Sequence, residues 1–356
     1  MRASLPVLAM IAMLATLPAG ALAQEVAGPA ASAAADENAG FQAFLQSIRG
    51  RALAAGVRPA TFDSAIAGLT FNPRVVSLDR AQPGGNPNAP AASIPRFAPY
   101  KAKHVDADRI NRGRKRYQDL RPRLERIEQR TGVPESIMMA IYGHETGYGT
   151  YVGDFDLIRS LASLAYDGRR RELFTAELIA TMQLLDRGIP RSKLKGSWAG
   201  ATGYPQFLPS MYQRLAVDGD GDGRVDIWSS ETDALASIGN YLVNAGWKPN
   251  VPWGVAAIVP ASFERSAVRP LAKSPRCPRV HDRHSRWLTI REWKALGITV
   301  TGWPAPSDNE LATLLEPDGP GATAYLLTNN YRVILDYNCS NFYALSVGLL
   351  ANEVAR

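Results

Sequence analysis

Residues 132–149 read GVPESIMMAIYGHETGYG, an apolar stretch that ends in glycines. Pro134 suits the first turn of a helix, where a backbone N–H has no partner within the helix. Gly147 and Gly149 are typical of a helix end. The stretch therefore predicts a helix over about residues 134–146.

One carboxylate, that of Glu145, lies on the apolar side of this predicted helix. Ile137 and Ile141 precede it by eight and four residues, so the three side chains share one helix face. Burial on that face raises the pKa of a carboxylic acid and keeps it protonated near neutral pH, as a general acid requires. On position alone, a solvated or capping role is the favoured interpretation.

The first residues are typical of a secretory signal. An apolar run over residues 5–17 precedes the small residues Ala21 and Ala23. We expect a signal peptide over residues 1–23 and an alanine-rich flexible leader over residues 24–40. No later apolar run reaches about 18 residues, so we expect an exported protein without a membrane anchor, with an uncleaved anchor helix as the alternative.

The chain has 356 residues and a formal net charge of +7. This length suffices for a large core or for two to three subdomains. A basic chain suggests an acidic partner, and export favours an anionic cell-wall polymer over nucleic acid.

The only cysteines of the chain are Cys277 and Cys339. In an oxidising compartment, a disulfide between them is favoured over two buried thiols, and this alternative stays open because sequence does not show whether the side chains meet. A bridge would tie the region after residue 250 to the C-terminal helix.

Helical patterns dominate up to Trp247, and strand patterns follow. Residues 41–78 predict two or three short helices, and residues 80–99 are rich in proline and glycine, as in a surface linker. Further helices are predicted over residues 106–130, 157–164, 171–185, 234–245 and 341–354. Short β-favouring runs that predict a small sheet occupy residues 251–268, 288–298 and 324–336.

Residues 218–226 read DGDGDGRVD and match the first nine positions of an EF-hand loop. Their alternating carboxylates predict one hard cation, with calcium favoured. Position twelve is Ser229 in place of the usual glutamate, so Glu231 or Asp233 would have to complete the coordination. The alternative is an acidic turn that binds nothing.

Residues 196–210 read GSWAGATGYPQFLPS, a loop of small residues that allows close backbone approach to a ligand. The Gln206 side chain is suited to bind an amide or hydroxyl group. Phe207 or Trp198 is suited to pack on a sugar face. Alone this signal is weak, because glycine-rich turns are common.

Five motifs in order resemble the lytic murein transglycosylase B family. They are HETGYG at 144–149, the loop at 196–210, the acidic loop at 218–226, NYLVNAGW at 240–247 and YNCSNFY at 337–343. The resemblance runs from about Phe41 to the C-terminus. Five ordered motifs are far more specific than any one of them.

This resemblance implies a goose-lysozyme-like helical core and cleavage of the β-1,4 bond between N-acetylmuramic acid and N-acetylglucosamine in peptidoglycan, with a 1,6-anhydromuramyl product. Glu145 takes the place of the family's single acid and base. No second carboxylate is implied, because the attacking hydroxyl belongs to the substrate, unlike in two-carboxylate glycosidases.

The resemblance also implies binding residues. Those of the substrate cleft are Ser197, Gln206, Phe207, Tyr100, Tyr241, Tyr337, Asn338 and Tyr343. The implied ion ligands are Asp218, Asp220, Asp222, the backbone of Arg224, and Asp233. For each tyrosine alone, core packing is the favoured interpretation. Arg169 and Arg170 face either the anionic stem peptide of the substrate or solvent.

We therefore expect an α+β fold that is mainly α. Its expected parts are an N-terminal helical subdomain and linker over 41–99, a lysozyme-like core over 100–250 with the metal loop 218–233, a small antiparallel β subdomain over 251–336, and a C-terminal helix over 337–356.

The expected protein is a soluble, periplasmic and monomeric lytic transglycosylase. Its expected partners are peptidoglycan strands and other cell-wall enzymes, without nucleic acid. It needs no cofactor for its chemistry and holds a structural Ca²⁺ or Na⁺. The alternatives are a hydrolytic lysozyme on the same fold and a catalytically silent wall-binding protein.

Overall fold

A computed structural model describes residues 29–82 and 95–356. Its helices are α1 (Pro29–Ser47), α2 (Arg49–Ala54), α3 (Pro59–Ile66), α4 (Pro73–Arg80), α5 (Phe97–His104), α6 (Ala107–Thr131), α7 (Glu135–Thr146), α8 (Leu157–Asp167), α9 (Arg171–Asp186), α10 (Pro209–Leu215), α11 (Glu231–Asn244), α12 (Pro278–His281), α13 (Ile290–Ala295), α14 (Asn329–Tyr337) and α15 (Asn341–Val354). Its strands are β1 (Phe155–Asp156), β2 (Lys195–Gly196), β3 (Gly254–Ile258), β4 (Leu288–Thr289), β5 (Thr299–Val300), β6 (Leu311–Leu315) and β7 (Ala324–Leu327). The predicted signal, residues 1–23, and much of the predicted linker lie outside the described residues.

The centre of the molecule is α7, which α6, α11 and α15 surround. Met138, Met139 and Ile141 are fully buried, as expected of a mostly apolar helix at the centre of a core. The helix has Pro134 as its N-cap and ends at Gly147, whose φ of 58° lies in the left-handed region. The predicted helix is therefore confirmed.

The N-terminal helices α1 to α4 form a second core together with α8 and α9. Phe41, Phe62 and Leu161 are fully buried in it. The prediction of a flexible leader is wrong for residues 29–40, because they form the first part of α1. Alanine has the highest helix propensity, and the side-chain oxygen of Asn38 accepts a hydrogen bond from the backbone N–H of Phe71 at 3.2 Å.

The predicted small sheet is antiparallel and has five strands in the order β4-β6-β7-β3-β5. Trp293 is fully buried against it. Two predicted strand regions are partly wrong, because residues 290–295 and 329–337 are the helices α13 and α14. A capping box between Thr289 and Glu292 starts the first of these helices.

The chain returns to the core through α14 and α15, and the predicted last helix is confirmed. Cys277 and Cys339 form a disulfide, with their Cα atoms 5.7 Å apart. The bridge ties the segment before α12 to the turn between α14 and α15. None of the helices in residues 29–82 and 95–356 is both long and apolar enough to cross a membrane.

Candidate active site

Glu145 lies in the last turn of α7, partly buried. Its Oε1 accepts a hydrogen bond of 2.6 Å from the hydroxyl of Tyr343 in the first turn of α15. The hydroxyl of Ser340 caps that helix by accepting from the backbone N–H of Tyr343. The two predicted residues thus meet where α7 and α15 pack together.

Burial raises the pKa of Glu145 from an ordinary 4.5 to about 7, while the hydrogen bond from Tyr343 acts in the opposite direction. In the described part of the chain, no second carboxylate contributes to this pKa. Glu145 therefore carries a proton near neutral pH and loses it readily, as a group that both donates and accepts a proton must.

Three predicted aromatic residues form one cluster beside Glu145. The rings of Tyr241 and Tyr337 lie 4.7 Å apart, and Phe207 lies 6.0 and 6.1 Å from them. The hydroxyl of Tyr241 donates to the backbone oxygen of Asp336 at 2.7 Å. Burial, and then the negative charge of Glu145, raise the pKa of Tyr337, so this ring lies within electrostatic reach of the acid.

Tyr100 approaches Glu145 from another element, α5. Its ring stacks on His104 with centroids 3.8 Å apart, and Phe342 lies 5.5 Å away. Burial is the main cause that raises the pKa of Tyr100, and the charge of Glu145 adds to it. The structure therefore brings Tyr100 to the same site as Tyr343.

Ser197 and Gln206 lie in one tightly bonded loop. Ser197 exchanges two hydrogen bonds with Ala201, one through its backbone N–H and one through its hydroxyl oxygen. The side-chain nitrogen of Gln206 donates to the backbone oxygens of Val152 and Gly203, at 3.1 and 2.9 Å. Gln206 thus joins the loop to the segment that follows α7.

Among the described hydrogen bonds, Tyr343 is the one predicted cleft residue that binds Glu145 directly. Ser197 lies in the loop described above, and Asn338 is exposed at the C-cap of α14. The other predicted cleft residues therefore surround the acid without a hydrogen bond to it in the described part of the chain.

The acidic loop brings three predicted ligands together. Oxygens of Asp218, Asp220 and Asp222 lie within 4.8 Å of one another. The backbone N–H groups of Gly221 and Gly223 donate to Asp218 and lower its pKa. Such a set of carboxylate oxygens around a glycine turn suits a hard cation.

The remaining proposed ligands hold the loop in other ways. The two carboxylate oxygens of Asp233 accept hydrogen bonds from the backbone N–H groups of Gly219 at 2.9 Å and of Asp226 at 2.7 Å. The backbone N–H of Arg224 donates to Asp222 at 2.8 Å. Asp233 is not part of the described three-carboxylate group and instead ties the loop to the start of α11.

Arg169 and Arg170 bind a protein carboxylate. Both donate to Asp79, which is buried at the end of α4, and these two cations lower its pKa against the effect of burial. Their guanidinium groups connect the N-terminal helices to α9. The pairing with Asp79 therefore explains the position of both arginines, and no contact with a substrate is needed to explain it.

Known proteins resemble the chain over most of its length. A family model described as Transglycosylase SLT domain matches residues 40–352. The membrane-bound lytic murein transglycosylase B of Escherichia coli strain K12 is 30% identical over 281 residues, which cover 78% of this chain and 73% of that protein. The chain belongs to the transglycosylase SLT family.

Solved structures agree with this assignment. SltB3 from Pseudomonas aeruginosa, in complex with NAG-anhNAM-pentapeptide, matches with a TM-score of 0.77 and 38% identity over 88% of this chain and 79% of that one. The lytic transglycosylase Slt35 of Escherichia coli, in complex with calcium, matches with a TM-score of 0.70 and 27% identity over 89% and 93% of the two chains. The expected lysozyme-like fold, mainly helical with a small antiparallel sheet, is confirmed.

This transglycosylase has two further polar residues near Glu145, Arg109 and His144, that the sequence pattern does not single out. Arg109 on α6 donates from Nη1 to the backbone oxygen of Gly143 at 3.3 Å and lies 3.3 Å from Nδ1 of His144. Burial lowers the pKa of His144 to about 3, so the ring is neutral. No sequence signal links Arg109 to α7, although His144 stands next to Glu145 in the HETGYG motif.

Proposed function

We propose that this lytic transglycosylase cleaves the β-1,4 bond between N-acetylmuramic acid and N-acetylglucosamine in peptidoglycan with Glu145 as its single acid and base. The observation that carries the proposal is the hydrogen bond between the Glu145 carboxyl and Tyr343 where α7 and α15 pack together. Burial there raises the pKa of Glu145 to about 7, without a contribution from a second carboxylate among the described residues. Two-carboxylate glycosidases need a second carboxylate, which acts as the nucleophile or as the base that activates a water molecule.

The reaction proceeds in two proton transfers. Protonated Glu145 gives its proton to the glycosidic oxygen, and the bond from that oxygen to C1 of the muramyl sugar breaks. The resulting carboxylate accepts the proton of the C6 hydroxyl as its oxygen bonds to C1. The product is a 1,6-anhydro ring, no water is consumed, and Glu145 is protonated again.

Tyr343 supports the intermediate state in this scheme. Its hydroxyl donates to the Glu145 carboxylate, and this hydrogen bond favours the ionised form between the two transfers. Tyr343 therefore holds the pKa of Glu145 near neutrality against the effect of burial.

The cluster of Phe207, Tyr241 and Tyr337 is proposed as a sugar-binding surface. Aromatic faces pack on the apolar faces of sugars, and the hydroxyls of both tyrosines are already satisfied by backbone oxygens. Ser197, Gln206, Tyr100 and Asn338 complete the proposed cleft. The complex of SltB3 with NAG-NAM-pentapeptide supports this substrate class.

Asp218, Asp220 and Asp222 are proposed to hold a structural Ca²⁺, with the backbone of Arg224 and with Asp233 in the surrounding loop. Their close oxygens and the calcium complex of Slt35 support this proposal.

We further infer from the sequence that residues 1–23 direct export to the periplasm, where the protein acts as a monomer.

The decisive experiment is mass spectrometry of the muropeptides that the mature protein releases from purified peptidoglycan. We expect products one water lighter than those of a lysozyme, and we expect Glu145→Gln to abolish their release. Reducing ends would instead establish a hydrolytic lysozyme. No release by the wild-type protein would favour a wall-binding protein without turnover.

Glu135→Gln is the matched control for this experiment. Glu135 is a buried carboxyl on the same helix, and burial raises its pKa as well. It stands ten residues before Glu145, about 15 Å along the helix axis. The control should keep wild-type release, and loss in both variants would argue against a specific role of Glu145.

A further inference from the structure

A basic pocket lies outside the site described above, between the segment 270–275, residues 281–287 and α14. Its volume is about 410 Å³, within the range of pockets that hold small ligands. Its cationic lining residues are Lys273, Arg286 and Arg332. Asp282 is the one carboxylate among the described residues that line it.

The cations of the basic pocket are available to a ligand. In the described ranges, none of Lys273, Arg286 and Arg332 forms an ion pair with a carboxylate. The Nε of Arg286 is buried and has no hydrogen-bond partner among the described residues. Since a buried donor without a partner is costly, this guanidinium is expected to bind an anion or water.

The walls of the basic pocket are firmly held. His284 is buried beneath it, with Nδ1 3.0 Å from the hydroxyl of Thr313 and Nε2 2.8 Å from the side-chain oxygen of Asn341. The guanidinium of Arg332 lies over the ring of Trp287, 5.8 Å from its centroid. The arginine head group is therefore oriented before any ligand arrives.

The basic pocket is connected to the aromatic cluster through α14. Arg332 and Asp336 stand four residues apart and share one face of that helix. The Asp336 carboxylate binds Arg276 at 3.1 Å, and its backbone oxygen accepts from Tyr241. The disulfide of Cys277 fixes the adjoining segment 270–276 beside the end of α14.

We propose that the basic pocket binds a carboxylate of the stem peptide that the muramyl sugar carries. This inference rests on the proposed function, and it adds a peptide-binding site to the sugar-binding cleft. Guanidinium groups pair with carboxylates in two-point hydrogen bonds, and Arg286 and Arg332 supply two of them in one pocket. Arg169 and Arg170 do not serve this role because Asp79 binds them.

The test compares two substrates: glycan strands with their stem peptides, and the same strands after an amidase has removed the peptides. The double variant Arg286→Gln/Arg332→Gln should raise KM for peptide-bearing strands about tenfold, which is about 1.4 kcal/mol of binding. The kcat values and the cleavage of stripped strands should not change. Higher salt should weaken the wild-type preference, because it screens charge pairs.

Arg123→Gln, at an exposed position of α6, is the matched control and should match the wild type on both substrates. Lys273→Gln, also at an exposed position, should raise KM for peptide-bearing strands by a smaller factor. This variant keeps the test valid if the double variant does not fold.

Equal effects on both substrates, or no effect, would overturn the inference. A loss confined to stripped strands would also overturn it, since the lactyl carboxylate that the amidase exposes would then be the ligand. If the wild-type protein cleaves neither substrate, the proposed function itself fails.

Discussion

Glu145 has a pKa of about 7, set by burial and by the opposing hydrogen bond from Tyr343. The proton donor is its protonated form, so kcat/KM should fall about tenfold for each pH unit above this pKa. Tyr343→Phe removes the hydrogen bond that favours the carboxylate, and the alkaline limb should move to higher pH. The measurement is kcat/KM from about pH 5 to about pH 9.

Tyr166→Phe is the control for this profile, because Tyr166 lies in the N-terminal core away from Glu145. Its alkaline limb should coincide with that of the wild type. A limb that stays in place in Tyr343→Phe would show that another group titrates in the profile.

The same residue should limit the stability of the protein. The pKa of Glu145 is higher in the folded state than its ordinary 4.5, so the folded state loses stability as pH rises from about 4.5 to about 7. Glu145→Gln removes the buried charge and should raise the free energy of unfolding at pH 8 by at most about 3 kcal/mol.

Denaturant unfolding of Glu145→Gln and the wild type at about pH 8 and about pH 4 measures this difference. The gain should disappear at the lower pH, where the wild-type carboxyl is protonated in both states. An equal gain at both pH values would point to packing instead of charge.

At the scale of elements, the loop with Ser197 and Gln206 depends on a glycine. Gly196 pairs with Phe155 in β1 and β2, and a Cβ at this position would overlap the backbone oxygen of Ala201. Gly196→Ala should therefore displace the loop and lower kcat/KM at least about tenfold, and Tm should fall as well because Phe207 of the same loop is buried in the core around α7.

Gly50→Ala is the matched control, because no atom lies within 4 Å of a Cβ added there. It should leave both kcat/KM and Tm close to the wild-type values. Full activity in Gly196→Ala would mean that the loop does not position the substrate.

The disulfide connects the segment before α12 to the turn between α14 and α15. Cys277 and Cys339 are 62 residues apart, and closing a loop of that size stabilises the folded state by up to about 4 kcal/mol in the chain-entropy estimate. The double variant Cys277→Ser/Cys339→Ser should lose stability of this order in denaturant unfolding. A reducing agent should destabilise the wild type similarly and leave the variant unchanged.

The sequence predicted the elements whose patterns are long and whose ends are marked. α7 and α15 are of this kind, since each is a sustained apolar run. The residues of α14 predict a strand because Val333 and Ile334 are β-branched and favour strands, whereas burial at helical spacing makes this segment a helix. β6 was missed as a short run without a clear alternation.

In the candidate site, too, a local sequence pattern predicts some residues and not others. Glu145 could be predicted from its place on an apolar helix face, a local property. Its bond to Tyr343 joins residues 198 positions apart, and only the family resemblance pointed to Tyr343. The approach of Arg109 to His144 depends on how α6 crosses α7, which no local pattern encodes.

At the scale of the whole molecule, calcium should couple the acidic loop to the cleft. The loop leads into α11, which carries Tyr241 of the aromatic cluster. Calcium should raise Tm in a concentration-dependent way, with about 2.7 kcal/mol of stabilisation at a hundred times its Kd. A chelator should reverse the shift, and Asp218→Asn/Asp220→Asn should abolish it.

Asp63→Asn, at an exposed position on α3, should keep the full calcium response. The measurement is the Tm of the wild type, of Asp218→Asn/Asp220→Asn and of Asp63→Asn, with and without calcium. An unchanged wild-type Tm over a wide range of calcium concentration would reject the proposed ion site.

The position of Glu145 in the last turn of α7 has one more consequence. Peptide dipoles add along a helix, so its C-terminal end carries a partial negative charge, which repels a carboxylate there. At the other end of the helix, near Pro134, the dipole acts in the opposite sense and favours negative charge. The direction of the helix therefore favours the protonated acid, and the backbone itself helps to specify a proton donor.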